Sequence, residues 1–372
     1  MKRLTTMFRR LAGFSLVPLS LVPFAFALPV VSDSHATYRR LHQSGPAVAP
    51  RVALSAAELA RFAPLGAVSG EVPVITYHGI NRHPDGYSVT PEAFARQLKL
   101  LRHAGFETIS IGEYARFRRG DTAGLPARPL LITFDDGRLD SYRGADAALA
   151  REHMRAAMYV IGGRVQAGDL SYLTWKELHA MARSGRWDVQ PHAFDGHVSV
   201  ATDAQGDQAP FYAARRFLRS TGRESFADYE QRVSEDIFRT RQMMHDQGIA
   251  APTFAVPYGD YGQHGTNDPR IPGFLSSLLQ RQFGTFFVQA DGNDPGYTQP
   301  GTGAAERYEV HTSTTLAALY GWLKRHHPDT LRAQQAAARR DAEQRRAARA
   351  ARVAQHNRDH RRTSHRRHKK GN

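Results

Sequence analysis

Two adjacent carboxylates, Asp135 and Asp136, stand where the apolar run Pro129-Leu130-Leu131-Ile132-Thr133-Phe134 stops. Neighbouring residues at a strand end point in different directions, so one carboxylate can bind a metal ion while the other addresses a bound water. Asp136-Gly137 is equally an ordinary turn dipeptide. A second polar cluster, Asp188-Val189-Gln190-Pro191-His192, is followed by His197. Two histidines in a glycine-containing loop can converge on one cation, or can simply sit exposed. The third is Phe254-Ala255-Val256-Pro257-Tyr258-Gly259, which alone reads as a proline turn leaving a strand. The 372 residues include no Cys, which excludes disulfides, thiolate zinc sites and cysteine nucleophiles; any metal must be held by His and carboxylates.

Such groups need rigid elements to aim them. From Val72 to His327 short apolar runs alternate with amphipathic segments, the signature of β/α units around a parallel sheet. Strands are expected at 72–77, 107–111, 129–134, 156–161, 187–191, 252–256, 284–288 and 306–310. Thr90-Pro91 opens a helix that runs through His103 and is closed by Gly105, and Thr174 with Glu177 forms a capping box ahead of another. Seven or eight units predict an α/β fold, a distorted (β/α)7-type barrel whose reactive groups sit where strands end. A 41 % hydrophobic content is ample for its core.

The order and spacing of these motifs resemble the polysaccharide deacetylases of carbohydrate esterase family four, which share the chitooligosaccharide deacetylase homology domain. The resemblance covers roughly residues 70 to 325. Tyr77-His78 at the end of the first strand, with four residues between His192 and His197, looks like the branch of poly-β-1,6-N-acetylglucosamine N-deacetylases. The resemblance implies that Asp136, His192 and His197 hold a divalent metal, most in keeping with Zn²⁺. It also implies Asp135 as general base, the Tyr258 backbone N–H as oxyanion donor and His78 as general acid. His311, in Val310-His311-Thr312, is the rival for the acid because other branches supply it from a late Leu-x-His motif. Two departures stand out. Ala255 occupies the place where most of the family has an Arg that pairs with the base, so something else must orient Asp135; and Pro191 restricts the backbone before His192.

The formal net charge of +15 is concentrated at the ends. Residues 331–372 carry 14 Lys and Arg against three acids, and Lys2, Arg3, Arg9 and Arg10 lie at the front, leaving 32 basic and 32 acidic residues in between. A neutral body with basic appendages argues against nucleic acid as the partner. Residues 1–27 have the basic, apolar and small-residue parts of a signal peptide ending at Ala25-Phe26-Ala27, or of an uncleaved membrane anchor. Residues 28–70 read as a linker and extension, 71–328 as the deacetylase domain, and 329–372 as a largely disordered Ala/Arg/His-rich tail suited to anionic envelope polymers. Residues 202–223 are expected to form a surface insertion bordering the cleft. Among the nearby aromatics Phe211, Tyr212, Tyr261, Trp175 and Trp187, a core role is the plainer reading than sugar stacking. These readings converge on a secreted or envelope-associated hydrolase that removes N-acetyl groups from a β-linked N-acetylglucosamine polymer. An O-acetyl esterase of the xylan type and a catalytically silent glycan-binding protein are the alternatives.

Overall fold

The computed structural model describes residues 48–67, 70–83, 85–289 and 296–327. The expected signal segment and basic tail lie outside them. Seven parallel strands form the body: β1 (Val72–Tyr77), β2 (Pro129–Phe134), β3 (Ala156–Val160), β4 (Trp187–Pro191), β5 (Thr253–Ala255), β6 (Thr285–Gln289) and β7 (Gly303–Glu309). Their order is β5-β6-β7-β1-β2-β3-β4. Between the two outer strands the Gln190 side chain makes the bridge, donating to the Ala250 carbonyl at 2.9 Å and accepting from the Thr253 hydroxyl at 2.9 Å. The result is a nearly closed barrel with helices around it.

Strands β1 and β2 are buried along their whole length, as expected when both faces of a parallel sheet are covered. Alternation assigns each residue a side. Val72, Val74, Leu131, Ala157, Tyr159, Ala255, Phe287 and Ala305 pack together inside the barrel, whereas Ile75, Tyr77, Leu130, Ile132 and Phe134 pack outward against the helices. Continuing the inward parity by two or four residues reaches His78, Asp135, Gln289, Arg307 and Glu309 at the carboxyl ends of their strands. The candidate cleft is therefore the top layer of the barrel interior.

Several boundaries differ from the sequence reading. The expected strand at 107–111 pairs only through Glu107–Thr108, because Ser110 and Glu113 form a reciprocal capping box that turns the chain into the helix Ile111–Arg118. Ile161 leaves β3 to become the N-cap of the helix Gly162–Ala167. The Thr90 cap, the Pro91–His103 helix and the Thr174–Glu177 capping box are as expected. The insertion folds as two small antiparallel hairpins, Ser199–Ala201 with Gln208–Pro210 and Phe217–Leu218 with Gly222–Arg223. No residue of 199–223 lines the cleft; the segment packs on the long helix Phe226–Asp246 instead. No helix among the described residues is long and apolar enough to cross a membrane.

Candidate active site

The two carboxylates part company at the end of β2. Asp135 keeps the inward parity, is 1 % exposed, and receives both arms of the Arg307 guanidinium, Nη1 to Oδ1 at 2.8 Å and Nη2 to Oδ2 at 2.6 Å. Burial alone pushes its carboxyl up, but the Arg307 charge outweighs that and holds it well below the usual carboxylate range. Asp136 adopts a left-handed backbone, φ +75°, which swings its side chain off the strand parity. Its Oδ1 lies 3.3 Å from His197 Nε2 and 3.7 Å from His192 Nε2.

His192 is buried at the end of β4, and its Nδ1 meets the Ala255 carbonyl at 2.8 Å. A carbonyl can only accept, so the proton sits on Nδ1 and the lone pair of Nε2 faces Asp136. Burial pulls the His192 pKa down to about 4, keeping the ring neutral as metal ligation requires. Ala255, noted from the sequence for the arginine it replaces, thus orients a histidine with its backbone. Pro191 stays in register with Val160 as the last residue of β4, so its restricted backbone is accommodated within the strand. One donor atom from each of Asp136, His192 and His197 lies within 4.8 Å of the others, and Asp136 Oδ1 is buried without a hydrogen-bond partner. Two imidazoles and a carboxylate whose buried oxygen is orphaned fit a divalent cation.

Tyr258 is the middle residue of the turn Pro257–Gly259, with φ +60°. Its ring leans on His197, with centroids 4.8 Å apart. Gly259, at φ +65°, packs so closely on Gln289 that a Cβ would collide with it. Gln289 accepts from Arg307 at 3.3 Å and donates to Glu309 at 3.1 Å. Glu309 in turn faces His78 Nδ1 at 3.7 Å and His311 Nε2 at 3.4 Å. His78 lines the cleft; His311 approaches the same carboxylate and does not line it. Tyr87 lies between the two imidazoles, 5.4 Å from each ring.

The cleft has a volume of about 450 Å³ and is walled by all six expected residues together with Asp85, Tyr87, Arg138, Gln289 and Glu309. Of the aromatics singled out from the sequence, none is in this wall; Trp187 packs on Phe134 with ring centroids 5.2 Å apart. Sequence reasoning missed Arg307, Gln289, Glu309 and Tyr87. A signal for Arg307 existed, since Gly303, Ala305 and Arg307 share one parity of β7 and the two small residues mark the inward face.

Comparison with known proteins agrees with the motifs. The polysaccharide deacetylase family profile matches residues 123–268. The poly-β-1,6-N-acetyl-D-glucosamine N-deacetylase of Escherichia coli K12 is 26 % identical over 188 residues, which cover 46 % of this chain and 28 % of the relative, so the chain spans little more than a quarter of that protein. A de-N-acetylase from Aggregatibacter actinomycetemcomitans superposes with a TM-score of 0.59 at 17 % identity, covering 68 % of this chain and 99 % of the other, a likeness of fold. IcaB from Ammonifex degensii reaches 0.51 at 25 % identity over 68 % of this chain and 97 % of its own. The profile thus marks a polysaccharide deacetylase domain at residues 123–268, and these relatives are similar to the chain around it.

Proposed function

We propose that this protein is an exported, metal-dependent N-deacetylase of a β-linked N-acetylglucosamine polymer, with residues 71–328 as the hydrolase domain. The observation that carries the reading is the division of labour at the end of β2: one carboxylate paired with Arg307 inside the barrel, the other turned toward two histidines. Hydrolysing an acetamide needs a polarised carbonyl, an activated water, an acid for the departing amine and donors for the oxyanion. Asp136, His192 and His197 would hold the cation, with Zn²⁺ in keeping with two imidazoles and a carboxylate. When bound, it supplies Lewis acidity to the acetyl carbonyl and lowers the pKa of water.

The remaining work falls to side chains of this chain. Asp135, ionised across the working pH range, takes the proton of the attacking water, and Arg307 fixes which way its lone pairs face. The Tyr258 backbone N–H, displayed by its turn, donates to the developing oxyanion. His78 gives its proton to the leaving nitrogen, and Glu309 lies 3.7 Å from its Nδ1. Arg307 answers the main objection to activity raised by Ala255, because the orienting arginine comes from β7. Incubation with β-1,4 and β-1,6 N-acetylglucosamine oligomers, followed by mass spectrometry, tests the proposal. Loss of acetyl groups from at least one series is expected, and intact products throughout would leave a glycan-binding protein.

A further inference from the structure

The loop between His192 and His197 is gripped from two sides. Its carbonyls at Ala193 and Phe194 accept from the backbone N–H groups of Gly162 and Gly163, at 2.9 and 2.8 Å. Its amides at Phe194 and Asp195 both donate to one buried carboxylate, Asp236 on the helix Phe226–Asp246, at 3.2 and 2.7 Å. Tyr212, on the insertion, donates its hydroxyl to the same carboxylate. Burial, and then the Asp236 charge, push the Tyr212 phenol well above its ordinary pKa, so it remains a donor. The Tyr212 ring also presses on Gly196, where any Cβ would fall 2.6 Å from the phenol carbon and oxygen.

The insertion is itself fastened. Tyr229 donates to the Tyr212 carbonyl at 2.6 Å, and Arg232 donates to the carbonyls of Phe211 and Ala214 at 2.9 and 3.0 Å. Ala193 holds a left-handed backbone, φ +99°, a conformation that needs such surroundings to persist. The contacts of Gly162, Gly163, Asp236 and Tyr212 converge on the segment between the two imidazoles, while those of Tyr229 and Arg232 hold the insertion behind it.

We propose that Asp236 and Tyr212 are positioning residues that fix the distance and orientation of His192 relative to His197, so that the insertion at 199–223 serves as a scaffold for the cation site. The proposal rests on the reading of Asp136, His192 and His197 as ligands. A carboxylate that accepts two amides and a phenol cannot be matched by an amide side chain, whose single oxygen leaves a donor unanswered.

The full-length protein, Asp236→Asn and Tyr212→Phe are compared in two measurements. Zn²⁺ affinity is read by competition with a chromophoric chelator. Amide exchange of the peptide spanning residues 192–198 is followed by mass spectrometry on metal-free protein. Asp236→Asn should weaken Zn²⁺ binding by roughly 10- to 100-fold, the usual scale for losing an outer partner of a metal ligand. Tyr212→Phe should weaken it less. Exchange in 192–198 should quicken in both while thermal melting stays cooperative. Unchanged affinity and unchanged exchange in Tyr212→Phe and in folded Asp236→Asn would overturn the proposal. Should Asp236→Asn not fold, Tyr212→Phe alone decides by the same two readouts. If the unaltered protein binds no Zn²⁺, the ligand reading fails, and the exchange measurement still judges the clamp.

Discussion

At the scale of single residues, two carboxylates adjacent in sequence face different partners, and the proposed function gives them different work. Asp135→Asn keeps the shape but removes the proton acceptor, so turnover should fall by roughly 10²-fold or more while metal content stays near normal. Asp136→Asn should lose both. Elemental analysis beside initial rates checks the pair, and identical behaviour of the two variants would show that the carboxylates do not divide the work. The acid is tested through its leaving group, because an amine must be protonated to depart and an activated phenol need not be. His78→Ala should therefore depress acetamide hydrolysis by roughly 10²-fold while largely sparing an aryl acetate. His311, which meets Glu309 without lining the cleft, should give a milder and unselective loss on both substrates when changed to Ala.

At the scale of elements, β7 bears on the site more than its sequence suggests. It sets Arg307 against Asp135 and Glu309 against His78, with Gln289 of β6 joining them. Arg307→Gln leaves a buried carboxylate without its counter-charge, and breaking such a pair costs about 3–5 kcal/mol. With Arg307 present, the Asp135 pKa is depressed, so the pair's stabilisation is in place at neutral pH and is lost only as acid protonates the carboxyl. Without it the largest influence opposing burial is gone, the pKa rises, and the acid limb of kcat/KM should move to higher pH; a pH–rate profile with chemical denaturation measures both effects. The motif-bearing strand ends were legible from the sequence because period-two burial and turn residues are local signals, as were the caps at Thr90 and Thr174. The pairing of Arg307 with Asp135 was not, because the two lie 172 positions apart and only the barrel's closure brings them together. The insertion was misplaced for a similar reason, since a polar segment gives no sign of which buried carboxylate it will face.

At the scale of the whole molecule, a charge-balanced body carries a tail of 14 basic residues against three acids over positions 331–372. Attraction of that tail to anionic polymers is screened by salt, whereas chemistry inside the barrel is not. Deleting 331–372 should leave turnover of short oligomers within about twofold and abolish salt-sensitive co-sedimentation with an anionic wall polymer. Retention that ignores both the deletion and ionic strength would refute an electrostatic role. The barrel's seam has a further consequence, in time rather than in space. Strand β7 lies between β6 and β1, so a nascent chain that has emerged only as far as residue 302 has a sheet open at β1 and no cation for Asp135. Asp135, Asp136, His192 and His197 are all synthesised before the strand that completes their surroundings. Until β7 docks, Asp135 has no guanidinium to pair with.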